Sequence, residues 1–223
     1  MLRGILFDMD GTLIDSEPVH CRAYQMTLAP MGFSIQYEDF ASLLGATRPV
    51  ILAKIHEMFG MFPISDEEFE RTVQMRKDEI NQNEGYPLVA GVREMLERMQ
   101  KAGYRLAVAS SSPQPYIENV ITTLSLGGFF DLLISGENVA NPKPAPDIFQ
   151  KAAEKLGLTP SECLVVEDSH NGILAANRAG MASVAFLNPH SAGQDVSTAT
   201  GFIKDFTEFT PARAEAIWKN YIW

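Results

Sequence analysis

Short, largely apolar runs alternate along the chain with stretches of helical periodicity. The runs are Ile5-Leu6-Phe7, Leu106-Ala107-Val108-Ala109, Leu132-Leu133-Ile134, Leu164-Val165-Val166 and Ala182-Ser183-Val184-Ala185-Phe186. Runs of this length and character suit strands covered on both faces. Between them, residues 91–102, 113–125, 146–156 and 170–179 are amphipathic. Leu96 and Met99 keep helical spacing in the first of these, and Gly103 stops it. The alternation predicts an α/β fold, a doubly wound parallel sheet of Rossmann-like type.

One interval departs from this rhythm. From Ser16 to Gly85 the pattern is helical throughout, with segments at 17–30, 36–44, 48–59 and 66–82. Gly32, Gly45, Gly60 and the Phe62-Pro63 step separate them. Ser65 and Glu68 have the spacing of a capping box. The reading is therefore a core of residues 1–15 and 86–223, with an all-helical cap of residues 16–85 inserted after the first strand. Thr198 to Gly201 reads as a polar loop.

Composition narrows the class. A folded chain of this mass should expose roughly 10,000 Å² and bury roughly 70% of its unfolded surface, so its core needs no disulfide or metal staple. No run approaches the length of a membrane span. Asp8 and Asp10 interrupt what would be the apolar centre of a leader peptide, which points to a cytoplasmic chain. Cys21 and Cys163 then read as two buried thiols. The 18 basic and 28 acidic residues give a net charge of −10, the wrong balance for a protein that grips nucleic acid by its phosphates.

Chemistry concentrates where the apolar runs end. Asp8 and Asp10 lie two apart, on one side of an extended segment, at the carboxyl end of the first run. Ligands bind at that end of open α/β sheets. Two close carboxylates repel unless a cation or a proton intervenes, and a hard divalent cation such as Mg²⁺ takes oxygen ligands. Gly11 permits a tight turn and Thr12 supplies a hydroxyl. Taken alone, this D-x-D-G-T also fits a capped turn with solvated acids. An EF-hand is excluded, since no glutamate stands twelfth from either aspartate. Ser110 ends the second run and can donate to a phosphate oxygen, although a lone serine there also fits a helix cap. Lys143 lies in Asn141-Pro142-Lys143-Pro144-Ala145-Pro146-Asp147, where prolines restrict the backbone, as a plain loop would also allow. Glu167 and Asp168 end the fourth run, and Asp168 can complete a cation site with Asp8.

With these four segments in order, the chain resembles the haloacid dehalogenase superfamily, in the subgroup with a helical cap, and within it sugar phosphatases and β-phosphoglucomutase. The resemblance rests on Asp8-Met9-Asp10-Gly11-Thr12, Ser110, Lys143 in K-P-A-P-D, and Glu167-Asp168 in E-D-S-H-N-G. It implies phosphoryl transfer through an aspartyl phosphate, with Asp8 as nucleophile and Asp10 as acid and then base. It implies Mg²⁺ held by Asp8, the Asp10 carbonyl, Asp168 and Glu167. Thr12, Ser110 and Lys143 are expected at the phosphate.

The resemblance extends into the cap. His20, Arg48 and Lys77 fall where relatives carry substrate-facing side chains, although a satisfied histidine and a solvated lysine fit the pattern too. Ser16-Glu17-Pro18 departs from the mutase and is more typical of phosphatases. His56, His170 and His190 show no ligand spacing and receive no role. The expectation is a monomeric, Mg²⁺-dependent phosphatase of a small phosphorylated sugar. The alternative is β-phosphoglucomutase, in which a sugar hydroxyl replaces water. A phospho-accepting receiver domain would be about half as long and carry no helical insertion, and a silent sugar-phosphate binder would not need intact motifs.

Overall fold

The computed structural model describes residues 1–43, 48–191 and 193–221, and the side chain of Arg48 lies outside that description. Six strands form one parallel sheet: β1 (Gly4–Phe7), β2 (Arg105–Ser110), β3 (Leu132–Ser135), β4 (Cys163–Glu167), β5 (Ala182–Phe186) and β6 (Gly201–Ile203). Their spatial order is β3-β2-β1-β4-β5-β6. The order reverses between β1 and β4, so a crevice opens at the carboxyl ends of those two strands. β1 pairs with β2 on one side and β4 on the other, residue for residue from Gly4 to Phe7.

Alternation within β1 divides the core into two layers. Ile5 and Phe7 face α5 (Val92–Lys101), α6 (Gln114–Thr123) and α9 (Pro211–Lys219). Leu6 faces α7 (Asp147–Lys155) and α8 (His170–Arg178). Both clusters are fully buried through β1, β2 and β4, which explains the unbroken apolar runs. The chain exposes 10349 Å², in line with the figure expected from its mass. Both cysteines are buried and unpaired. Among the described residues, no helix is long and apolar enough to cross a membrane.

The inserted segment holds α1 (Glu17–Leu28), α2 (Tyr37–Ala41), α3 (Arg48–Phe59) and α4 (Asp66–Glu84). These helices close on a separate apolar cluster that includes Leu28, Phe40, Ile55, Phe69 and Ile80. Ser65 caps α4, its hydroxyl accepting from the Glu68 backbone N–H at 3.2 Å. Where the chain leaves and re-enters the core, the two crossings bond to each other: Asp15 N–H to Pro87 O at 2.8 Å, and Val89 N–H to Leu13 O at 3.0 Å.

Two expectations need correction, and one helix adds to them. Gly201 begins β6 instead of ending a polar loop; the strand pairs with β5 at Val184, Ala185 and Phe186. It is a three-residue edge strand with only Ile203 buried, so no apolar run announces it. The helix α9 follows it, and sequence periodicity did not bring it out. The second cap helix spans only Tyr37–Ala41, because Ser42 turns back onto Asp39 O through both its amide and its hydroxyl.

Candidate active site

The first strand delivers Asp8 to the crevice. Its amide still donates to Val166 O at 2.9 Å, so β1 and β4 remain paired up to the acid. The chain then turns sharply: Leu13 and Ile14 N–H both donate to Met9 O, and Gly11 N–H donates to Ile14 O. Gly11 has φ +79°, and a Cβ there would lie 2.2 Å from Asp168 Oδ2. Glycine thus serves both the turn and the close approach of the Asp168 carboxylate.

The acids are held by bonds from several elements. Lys143 Nζ donates to Asp8 Oδ1 at 2.6 Å, Glu167 Oε1 at 2.9 Å and Ala109 O at 3.1 Å. The Phe149 ring centroid lies 5.0 Å from the same nitrogen. Glu167 Oε2 accepts from the Ser169 amide at 2.7 Å and hydroxyl at 2.9 Å. A Cβ on Gly172 would stand 1.7 Å from Glu167 Oε1, so the first turn of α8 is open for this carboxylate. Asp168 accepts from Thr12 Oγ1 at 3.1 Å and from Ser191 Oγ at 2.6 Å.

Ser110 ends β2 in the same crevice, buried, its hydroxyl accepting from Ser112 N–H at 3.1 Å. Ser112 Oγ donates to Asp10 Oδ2 at 2.7 Å, while Asp10 Oδ1 finds no partner among the described residues. A cavity of about 300 Å³ brings together Asp8, Asp10, Ser110, Lys143, Glu167 and Asp168. A second, of about 330 Å³, runs from Asp10 to the cap residues His20, Gln74 and Lys77, with Tyr116 as one wall. Asp10 lines both.

Electrostatics follow from burial. Burial raises the Asp8 carboxyl, and the charges of Glu167 and Asp168 add to it against the opposing pull of Lys143. Burial and Glu167 push Asp168 up to about 8, Ser191 and Thr12 opposing. Burial works against a charged Lys143, but Asp8 and Glu167 outweigh it and hold the ammonium above its ordinary value. One buried cation therefore faces three buried carboxyls. Asp8, Glu167 and Asp168 each offer an oxygen within 4.8 Å of the others. An all-oxygen set in which burial opposes the charge of Asp8 and Asp168 fits a hard divalent cation; zinc would call for sulfur or imidazole ligands.

Thr12 departs from its expected place: its hydroxyl is fully buried and turned to Asp168 instead of lining the cavity. On the cap, Lys77 Nζ stands 3.5 Å from His20 Nε2, and burial and the Lys77 charge lower the His20 pKa to about 3. Arg48 falls where the side chain is not described. His190, given no role from sequence, bridges cap and core. Its Nδ1 meets Asp15 Oδ2 at 2.6 Å, and its carbonyl accepts from Tyr37 Oη at 2.8 Å. Ser191 and Ser112 also went unread. Ser112 stood in plain view in Ser110-Ser111-Ser112, but Ser191 follows β5 in a loop with no motif to mark it.

Comparison with known proteins gives the same frame. A family model described as haloacid dehalogenase-like hydrolase matches residues 5–186. Protein CbbY of Rhodobacter capsulatus is 33% identical over 214 residues, covering 92% of this chain and 94% of the relative. Hexitol phosphatase B of Escherichia coli (strain K12) is 33% identical over 187 residues, 83% of this chain and 84% of the relative. The crystal structure of a CbbY variant from Rhodobacter sphaeroides, in complex with xylulose-(1,5)bisphosphate, matches with TM-score 0.80 at 26% identity, over 96% of this chain and 99% of that one. With its motifs at the strand ends of one parallel sheet, the chain belongs to the haloacid dehalogenase-like hydrolase family.

Proposed function

We propose that this protein is a Mg²⁺-dependent phosphatase acting on a small phosphorylated sugar through an aspartyl phosphate on Asp8. One observation carries the reading: Asp10 stands between the acid and lysine cavity and the cavity under the cap. A group placed there can exchange a proton with an ester oxygen whose phosphoryl group sits at Asp8 and whose sugar lies toward the cap. The names of the relatives, among them a hexitol phosphatase and a protein crystallised with xylulose bisphosphate, support the substrate class.

The residues divide the work in two steps. In the first, a carboxylate oxygen of Asp8 bonds to phosphorus, the bond from phosphorus to the sugar oxygen breaks, and Asp10 gives its proton to that oxygen. In the second, Asp10 takes a proton from water as the water oxygen bonds to phosphorus. The bond from phosphorus to Asp8 breaks, releasing phosphate and restoring both acids. Lys143 and Ser110 hold phosphoryl oxygens and favour the charge that builds there. Asp8, Glu167, Asp168 and the Asp10 carbonyl would hold Mg²⁺, which when bound supplies positive charge beside the phosphoryl group. Residues 16–85 act as a cap that closes over the sugar and excludes water.

β-Phosphoglucomutase chemistry is the second reading, favoured by Lys77 and His20 on the wall of the cap cavity. One experiment separates the two. The protein is incubated with Mg²⁺ and β-glucose 1-phosphate, with and without β-glucose 1,6-bisphosphate, and alongside a panel of sugar monophosphates. Glucose 6-phosphate and free phosphate are measured together. Free phosphate from several sugars, abolished by EDTA and independent of the bisphosphate, is the expected outcome. Stoichiometric glucose 6-phosphate that requires the bisphosphate would establish the mutase.

A further inference from the structure

The two steps above leave one buried acid unused. Glu17 opens α1 at the first crossing and lines the same 300 Å³ cavity as Asp8, Asp10 and Lys143. An acid in the first turn of a helix is ordinarily read as dipole compensation. That reading leaves its buried Oε2 unexplained, for this atom has no hydrogen-bond partner among the described residues. His20 Nδ1 stands 3.8 Å away, beyond hydrogen-bond reach. Leaving a buried carboxylate oxygen unpaired is costly, and such an atom in a cavity wall is a place for a donor that arrives from outside. Asp10 Oδ1, on the same cavity, is in the same condition.

We propose that Glu17 is a specificity-determining residue whose Oε2 accepts a hydrogen bond from a hydroxyl of the substrate's alcohol part. The cavity would then select phosphate esters of polyhydroxylated molecules over apolar or aromatic esters. The inference rests on the phosphatase reading. Its second support is position: His20, 3.8 Å from the same Oε2, lines the cap cavity, and Asp10 lines both cavities, so Glu17 stands where the phosphoryl site meets the space assigned to the sugar. A polyhydroxylated group gives up water's hydrogen bonds on entry and needs acceptors to replace them, which an apolar group cannot use. Burial and the Asp10 charge also push the Glu17 carboxyl up to about 7. Near neutral pH it is thus shared between carboxylate and acid. Both forms hydrogen-bond a hydroxyl, but only the carboxylate would attract an ammonium group. The ligand chemistry that suits both is a neutral polyol.

The test compares kcat/KM for hexose, pentose and hexitol monophosphates with kcat/KM for p-nitrophenyl phosphate. It uses the full chain with Mg²⁺, as wild type, Glu17→Gln and Glu17→Ala, with circular dichroism melts run in parallel. In Glu17→Ala the ratio of sugar ester to aromatic ester should fall about ten- to a hundredfold, with a smaller fall in Glu17→Gln, whose amide oxygen still accepts. A wild-type arm needs no variant: removing the contacted hydroxyl, in a series of deoxy sugar phosphates, should cost at least about tenfold. Equal losses on both ester classes, or a deoxy series without such a drop, overturn the inference and leave the phosphatase reading standing. A wild type that releases phosphate from no ester overturns both.

Discussion

The core side and the cap side of the site are built differently. At the sheet's carboxyl edge each acid is held by bonds from separate elements: Lys143 on Asp8 and Glu167, Ser169 on Glu167, Thr12 and Ser191 on Asp168. Nearly all of these bonds are under 3 Å. On the cap side two of the contacts are longer, 3.5 Å from Lys77 to His20 and 3.8 Å from His20 to Glu17, and Glu17 Oε2 has no hydrogen-bond partner among the described residues. A pre-set arrangement suits chemistry, where reorganisation at the moment of reaction costs rate. A wall with spare hydrogen-bonding capacity suits recognition, where the ligand supplies the missing partners. The difference teaches that chemistry and selection are separable here, residue by residue.

Substitutions should break the two sides in different ways. Asp8→Asn should cost the most, roughly 10⁴-fold or more in kcat, because an amide is no nucleophile. The check is phosphate release beside a circular dichroism spectrum that matches wild type. Asp10→Asn should lower kcat by about 10²–10⁴-fold through lost proton transfer. Ser191→Ala removes the 2.6 Å bond to Asp168. It should weaken Mg²⁺ by about ten- to a hundredfold, read from the Mg²⁺ dependence of activity and from calorimetric titration. Lys77→Ala should act on the other side, raising KM for sugar phosphates several-fold with little change in kcat. An equal fall in kcat would place the cap lysine with the chemistry and erase the contrast.

The smallest effect sharpens the contrast without touching turnover. Burial and Lys77 hold the His20 pKa at about 3, against an ordinary value of 6.5. The unfolded chain therefore takes up this proton first as pH falls, so His20 removes stability between pH 6.5 and 3 and is neutral above that range. In an NMR titration its ring nitrogens should keep the chemical shifts of a neutral imidazole from pH 8 to 5, with only a small displacement as the nearby Glu17 titrates near 7. A midpoint near 6.5 would mean that the imidazole is not enclosed beside Lys77.

How much was legible in the sequence depended on whether a feature was local. Asp8, Asp10, Lys143, Glu167 and Asp168 follow or flank buried strands or sit in a proline-bound turn, so apolar runs and short motifs pointed to them. Helix α3 was read at its full extent, 48–59, because its ends and periodicity are local. β6 and α9 were not, since the strand is three residues long at a sheet edge and buries one side chain. Ser191 and His190 acquire their roles through Asp168 and Asp15, 23 and 175 positions away. Thr12 shows the reverse: its motif was recognised, but only packing could tell that its hydroxyl turns to Asp168.

The paired crossings at Asp15–Pro87 and Leu13–Val89 have a consequence for how such a chain can change over time. Because exit and return are stitched together, the chain passes between sheet and insertion through a single doorway, whatever lies beyond it. Lengthening the excursion adds little closure entropy, only about 0.6 kcal/mol for each doubling of a flexible loop. Residues past the doorway can therefore be traded, enlarged or trimmed while Asp8 and Asp10 keep their places. A lineage can explore new substrates there without renegotiating the reaction itself.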